Sequence, residues 1–268
     1  MSELRFPTSL GMSTTSTITL LGDDLADDLM GKVSLTGLVY RMVTLRVPTD
    51  GQVRMLDACL LALADHGFTP TALAARLTFL SAPDSVQGAM ASGLLGGGSR
   101  FLGVTEDCGQ FLHRVIEDLE EPPTDEAGWD AVALEVMRTE RSAKRIIPGL
   151  GHPVHKELDP RTPALARIAR EEDCFGPHLA LFEAIGRVHE EVLGRRLVLN
   201  GAGVVGAALA DLGLPMELLR GFALFARAGG LLGQLAEELR MPVGMSVYRT
   251  VEDNAEFVDP SDVATPTD

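Results

Sequence analysis

Apolar side chains return at steps of three and four residues through most of this chain, the spacing that lines one face of an α-helix. Between Pro48 and His66 the recurring positions are Val53, Leu56, Leu60 and Leu63. Thr69-Pro70 then opens a second helix with a capping hydroxyl and a proline whose missing N–H is harmless in a first turn. A further helix is expected from about Asp84 to Leu95, stopped at Gly96-Gly97-Gly98, where three glycines make continuation unfavourable. Two more follow, around Glu106 to Glu121 and Trp129 to Arg141. Pro163 restarts a helix, and the stretch from His178 to Leu193 sets Leu179, Leu181, Phe182, Ile185, Val188 and Val192 on its inner side. The last two begin near Asn200 and Pro215. The ends differ. Residues up to about Thr17, rich in Ser and Thr, are expected to be loosely ordered, and the tail from Val251 is acidic with scattered proline. No repeat of fixed period and no long linker interrupts the pattern.

Composition turns this pattern into an all-α expectation. Hydrophobic residues make up 46% of the 268 and aromatic ones only 5%, a mixture of Ala, Leu, Val and Gly that suits close-packed helices better than a sandwich or barrel. The length allows one large domain or two smaller ones. With 23 basic residues against 38 acidic, the formal charge of -15 repels a long polyanion, so nucleic acid is excluded as a partner. A small anion needs only a local cluster of bases, and Lys144, Arg145, His152, His155, Lys156, Arg195 and Arg196 fall where one can form. Cys59, Cys108 and Cys174 are an odd number without CxxC spacing, which gives neither a disulfide framework nor a metal site and suits a reducing compartment. No apolar run approaches a membrane span and the chain starts polar, so the expected location is the cytoplasm, away from any membrane.

The motifs then have to be weighed. "NGAGVVG" carries Gly201, Gly203 and Gly206 at GxGxxG spacing after the strand-like "RLVLN". A dinucleotide fold needs βαβ units around it and an acid about twenty residues on. Here the chain instead turns at "GLP" into a long apolar helix, so tight helix packing is the stronger reading. "LLGGGSRFLG" lacks the Gly-Lys-Ser/Thr of a phosphate loop. His66, alone, reads as a histidine at a helix end. Arg227 lies inside the apolar run "FALFARAGGLLG" and requires an anionic partner, either an internal carboxylate or a bound one. "PGLGHPVHKELDPRTP", residues 148–163, holds glycines that permit close backbone approach, with His152, Lys156 and Arg161. Imidazole polarises a carbonyl or moves a proton near neutral pH, and guanidinium clamps a carboxylate through two bonds. Those are tools for a keto or hydroxy acid.

"PGLGHPVHKELDPR" resembles the "PGxGHxVxKxxDPR" signature of the citrate synthase superfamily. "DHGFTPTALAARL", "SGLLGGGSRFLG" and "LNGAGVVGAALADLGLP…ARAGGLLGQLAEEL" follow the family's order. The similarity spans most of Leu20 to Arg240 and is strongest to the compact citryl-CoA lyases and the C-terminal lyase part of ATP-citrate lyase. The resemblance implies a helical homodimer with its active site in a cleft. A large domain would be formed by residues 1–103 and 213–268, and a small one by 104–212. It implies that His66 and His152 contact the keto or hydroxy group, that Arg161, Arg227 and Arg100 hold carboxylates, and that the loop Pro148, Gly149, Leu150, Gly151 wraps coenzyme A, with Lys156 and Arg195 near its phosphates. The thioester is a substrate; no permanently bound cofactor or metal is implied.

Two departures matter. Ala202 stands where the family carries the aspartate that moves the α-proton, and Gly96 stands at the position of a histidine that the lyase branch can lack. Losing a positioned base costs about 10²- to 10⁴-fold in rate. Asp65, Glu106, Asp107 and Glu237 are the candidate replacements. Three readings follow: an acyl-CoA carbon-carbon lyase or synthase, a catalytically silent homologue that binds an acyl-CoA or dicarboxylate, and a dinucleotide oxidoreductase.

Overall fold

The computed structural model describes residues 4–152 and 155–262. It is mainly helical, as expected. Eleven α-helices appear among these residues: α1 (Leu35–Thr44), α2 (Asp50–Leu63), α3 (Pro70–Ser81), α4 (Val86–Leu95), α5 (Val104–Glu117), α6 (Glu126–Ser142), α7 (Arg161–Glu171), α8 (Pro177–Leu193), α9 (Gly201–Asp211), α10 (Leu219–Arg240) and α11 (Gly244–Glu252). The chain divides into two compact units. One comprises the chain up to Leu63 with Ser99–Ala226, and the other Ala64–Gly98 with the chain from Arg227 on. The expected middle domain, 104–212, lies inside the first. Among the described residues no helix is long and apolar enough to cross a membrane.

In the first unit α9 is central, packing against α2, α5, α7 and α8. Its sequence, GAGVVGAALAD, explains how it fits there: only Ala202 and Asp211 escape full burial. The three glycines of the nucleotide-like spacing are points of contact. A side chain on Gly201 would run into the Arg161 guanidinium, one on Gly203 into the backbone of Gly149, and one on Gly206 into the Thr105 carbonyl. Small residues therefore let backbone approach backbone, and among the described residues no strand leads directly into the motif. The strand-like "RLVLN" contributes a single bridge, Leu199 to Leu150.

Helix α8 buries all six residues that the periodicity placed on its inner side. Each such burial is worth about 1.5–3 kcal/mol before entropy is charged against it. The first turn of α8 is capped from another helix: Asp211, the last residue of α9, accepts from the N–H groups of Gly176, His178 and Leu179 at 2.9–3.0 Å. That external carboxylate satisfies donors which a helix amino end otherwise leaves orphaned.

The second unit packs α3 against α4 and α11, around Ala75, Phe79, Ala89, Leu231 and Leu235. Thr69 caps α3 through its hydroxyl and Pro70 follows, as the sequence predicts. Arg76 is fully buried here. Its Nε bonds Gln234 at 2.8 Å, Nη1 bonds Glu238 at 3.0 Å, and Nη2 bonds Glu237. Glu238 in turn accepts from the Val243 and Gly244 N–H groups that start α11.

The expectation of a loosely ordered amino-terminal segment fails from Gly11 on; residues 1–3 lie outside the described residues. Strands β1 (Gly11–Ser13) and β2 (Ile18–Leu20) form an antiparallel hairpin, and β2 also pairs with β3 (Asp23–Asp24). The Ser and Thr residues that suggested disorder build the turn, with the Thr14 N–H donating to the Thr17 carbonyl at 2.9 Å and the two threonine hydroxyls 2.7 Å apart. From Asp23 the chain makes one π-type turn, Leu25–Leu29, capped by Asp24, before α1 begins.

Candidate active site

Three motifs distant in the sequence meet at the amino end of α9: the Pro148–Gly151 loop, the "DPR" segment and "LNGAG". The Gly149 φ is +84°, a left-handed conformation that favours glycine. A side chain there would also strike the Phe182 ring and the Cys108 sulfur. Asn200 holds both sides of the junction. Its N–H donates to the Gly149 carbonyl at 2.9 Å, its Nδ2 donates to the Gly151 carbonyl at 2.8 Å, and its Oδ1 caps α9 by accepting from the Gly203 N–H at 2.8 Å. The Gly151 N–H reaches the Val198 carbonyl at 2.7 Å. The loop is therefore clamped by backbone bonds, while the space beside the Gly151 Cα, with φ +95°, is open.

Arg161 begins α7. Nε and Nη2 grip Asp159 at 3.0 and 2.7 Å, and Nη1 donates to the Ala62 carbonyl at 3.1 Å. Asp159, with no exposed side-chain surface, also accepts from the Arg161 N–H at 3.1 Å and the Gly201 N–H at 2.7 Å. Burial alone raises a carboxylic pKa, but the Arg161 and Gly201 bonds and the guanidinium charge outweigh it and bring Asp159 down to about 2. The carboxylate is thus charged at neutral pH. Three of the five guanidinium N–H groups are used by these bonds, and the arginine side chain is 22% exposed, so one edge can still meet a carboxylate.

His152 follows the loop, half-buried, with its ring 4.4 Å from that of His155 between centroids. The His155 N–H donates to the His152 Nδ1 at 2.9 Å. An N–H pointing at Nδ1 requires a lone pair there, so neutral His152 carries its proton on Nε2 and presents a donor. Exposed Lys156 donates to the His152 carbonyl at 2.9 Å, which restrains the turn from the other side.

The structure thus gathers Pro148, Gly149, Leu150, Gly151, His152, Lys156 and Arg161 into one assembly. Arg195 is exposed just after the α8 cap at Gly194, and Arg100 is exposed on the turn before α5. His66 and Arg227 belong to the second unit. Exposed His66 lies on the connection to α3, three residues beyond α2 instead of at its end. Arg227 is buried, with Nη1 3.5 Å from the Thr69 hydroxyl. Burial raises the Asp65 carboxyl, but bonds from the Gly67 N–H and Gln234, the Arg227 charge and the His66 N–H hold it below the ordinary range. Arg227 therefore has an internal carboxylate nearby.

Each of the candidate replacement bases has partners of its own. Glu106 pairs with Arg220 at 2.7 Å, with Asp107 3.9 Å from the same guanidinium, Glu237 pairs with buried Arg76, and Asp65 is held as above. Asp159 and Asn200, the two residues that organise the assembly, were not singled out by sequence reasoning. Asp159 had a usable signal, an acid directly before proline at a helix start. Asn200 was hidden by the glycine spacing that follows it.

The sequence profile described as "Citrate synthase, C-terminal domain" matches residues 14–249. The chain belongs to the citrate synthase family. Among solved structures of that fold, citryl-CoA lyase from Hydrogenobacter thermophilus shares 28% identity with a TM-score of 0.82, covering 97% of each chain. An aspartate-to-alanine variant of Methanosaeta concilii ATP citrate lyase, in complex with (3S)-citryl-CoA, gives 21% identity and a TM-score of 0.76 over 98% of this chain and 43% of that one. Citrate synthase from Thermotoga maritima gives 18% and 0.65 over 88% and 60%. The last two likenesses establish the fold alone, and the chain spans less than two thirds of those proteins. No curated protein matches the sequence significantly. Family membership makes this an enzyme-superfamily protein and leaves no support for a dinucleotide fold.

Proposed function

We propose that this protein is a coenzyme A thioester carbon-carbon lyase or synthase, cleaving or forming a 3-hydroxy-3-carboxyacyl-CoA to give a keto acid, such as oxaloacetate, and an acyl-CoA, such as acetyl-CoA. The observation that carries the reading is the union of the glycine loop, a donor histidine and a clamped arginine at one helix end, in a chain that matches a citryl-CoA lyase along nearly its whole length.

In this reading the free edge of Arg161 binds one carboxylate of the acid, and the Nε2–H of His152 donates to the oxygen that alternates between hydroxyl and keto. Such a donor stabilises charge developing on that oxygen and contributes about 10²- to 10³-fold in rate. Because Nδ1 of His152 already accepts a bond, the hydroxyl proton passes to another group. His66 is the remaining histidine that the resemblance assigns to the acid, with Arg227 as its second arginine. Breaking the carbon-carbon bond leaves the electron pair on the thioester as an enolate, which takes up a proton at carbon. The open side of Gly151 suits the approach of coenzyme A, with Lys156 and Arg195 near its phosphates. Arg100 is retained as a further carboxylate contact, and the functional form is a homodimer.

Incubation of the purified protein with citryl-CoA and related thioesters should release keto acid above buffer, and H152A should lower the rate by at least 10²-fold. Absence of keto acid across the panel would sink the enzyme reading.

Ala202 favours a second reading, a silent binder of acyl-CoA or dicarboxylate. The side chain lies in the first turn of α9, where an aspartate is electrostatically welcome, so A202D should fold. Appearance of citryl-CoA cleavage only in A202D would identify a silent binder. Native activity that A202D reduces would identify an enzyme adapted to alanine.

A further inference from the structure

Between α8 and α9 the chain from Leu197 to Asn200 lies alongside the glycine loop and bonds to it along one edge. Leu199 bridges Leu150 in the antiparallel sense. The Gly151 N–H donates to the Val198 carbonyl at 2.7 Å and the Asn200 N–H to the Gly149 carbonyl at 2.9 Å. In such a ribbon successive residues turn their backbone polar groups to opposite edges, so those of Leu197 and Leu199 face away from the loop. On that far side lies a cavity of about 310 Å³, with Thr162, Gly186 and His189 in its lining, where a wider sheet would set its next strand.

Two side chains supply the bonds that strand would make. The Leu197 N–H donates to the His189 Nε2 at 2.8 Å, and the Thr162 hydroxyl donates to the Leu199 carbonyl at 3.0 Å. His189 is buried near the end of α8, its Nδ1 2.9 Å from the Gly186 carbonyl oxygen. The partners settle the ring's chemistry. A carbonyl only accepts, so Nδ1 carries the proton, and an N–H only donates, so Nε2 keeps its lone pair. Gly186 lets the helix come this close, because a side chain there would stand 2.5 Å from the Leu199 Cδ1. Thr162 sits in the first turn of α7, directly after Arg161. Helices α7 and α8 thus brace from outside the ribbon whose inner edge holds the glycine loop.

We propose that His189, with Thr162 beside it, is a positioning residue for the Pro148–Gly151 loop. By holding the Leu197 N–H it fixes the neighbouring Val198 carbonyl, and through that carbonyl the Gly151 N–H, so that coenzyme A meets a loop already in place. Preorganisation of this kind saves the ordering cost that a mobile loop incurs on binding. Both ring nitrogens are engaged within the protein, so His189 acts neither as acid nor as base. The inference rests on the proposed function for the identity of the ligand; the bracing itself does not depend on it.

The test compares H189N with H189Q in the full-length chain, each checked for helical content by circular dichroism. Asparagine keeps a donor near the Nδ1 position and has nothing at Nε2, whereas the glutamine amide oxygen reaches the Nε2 position and can accept. Amide hydrogen exchange, followed by nuclear magnetic resonance, reads the bracing without ligand. H189N should speed exchange of the Leu197 and Gly151 amides about 5- to 30-fold, the effect of one buried bond on a local opening. It should also weaken coenzyme A, titrated calorimetrically, about 5-fold or more, and H189Q should restore both. T162V, which removes only the hydroxyl, should act in the same direction and carries the comparison if H189N does not fold. A role confined to stability would lower the unfolding midpoint and leave the Gly151 exchange and the affinity of the folded protein unchanged, and that result overturns the proposal. So does a glutamine variant no better than the asparagine one. A wild-type chain that binds no coenzyme A at millimolar concentration would overturn the coenzyme A reading of the loop, while the exchange rates still decide the bracing.

Discussion

Gly149 and Gly203 meet backbone to backbone: a methyl group on Gly203 would stand 2.6 Å from the Gly149 Cα and 2.9 Å from the Phe182 ring. The loop that begins the family signature is thus pressed directly onto α9. G203A is expected to lower stability by about 1–3 kcal/mol, the usual cost of overpacking, read as a fall in the urea midpoint at unchanged slope. Coenzyme A affinity should fall with it, because the loop must lift.

Asp159 makes stability depend on acid. Its carboxyl titrates at about 2 in the folded protein against an ordinary 3.8, so the unfolded chain takes up the proton first as pH falls. The contribution, about 2 kcal/mol, is whole above pH 4 and is lost as pH drops through about 2. Asp65 and Glu238 are shifted in the same direction, so the readout is the difference between wild type and D159N. The D159N acid-unfolding curve should be flatter across that window.

Arg161 is positioned by a fork-to-fork pair that lysine cannot reproduce. R161K should keep the fold while raising the KM for the keto or hydroxy acid at least 10-fold, measured by steady-state kinetics with the thioester saturating. An unchanged KM would remove Arg161 from the acid site.

The neutral form of His152 should carry its proton on Nε2, because Nδ1 accepts from the His155 N–H at 2.9 Å. Long-range ¹⁵N–¹H correlation on the labelled protein distinguishes the tautomers directly. A proton found on Nδ1 would reassign the donor role argued for this ring.

Arg76 is fully buried in the second unit. Removing it leaves Glu238 charged and enclosed, and R76A should cost about 3–5 kcal/mol. Since both residues belong to one network, R76A and E238A should be strongly non-additive in a double-mutant cycle.

Much of this architecture was legible in the chain. The inner face of α8, the Thr69-Pro70 start of α3 and the stop at Gly96 follow from local chemistry, because in each case the deciding contacts lie within one turn. The β1–β2 hairpin was not legible: threonine and serine favour a turn, a strand or disorder equally until the partner strand is known. The capping of α8 by Asp211 and the grip of Asp159 on Gly201 join residues 33 and 42 positions apart, beyond the reach of any periodicity. The glycine spacing of α9 was readable as packing only because its surroundings failed to supply a nucleotide fold.

A helix enclosed on every side, as α9 is, has almost no outer surface on which mutation can drift harmlessly. Its eleven residues can change only by trading volume with the neighbours they touch, so a saturation library over 201–211 should tolerate little beyond Gly, Ala, Ser and Val at most sites. Position 202, left partly open beside the residues that pack on the Pro148–Gly151 loop, is where diversity is permitted, and a change of chemistry can enter there without rebuilding the scaffold.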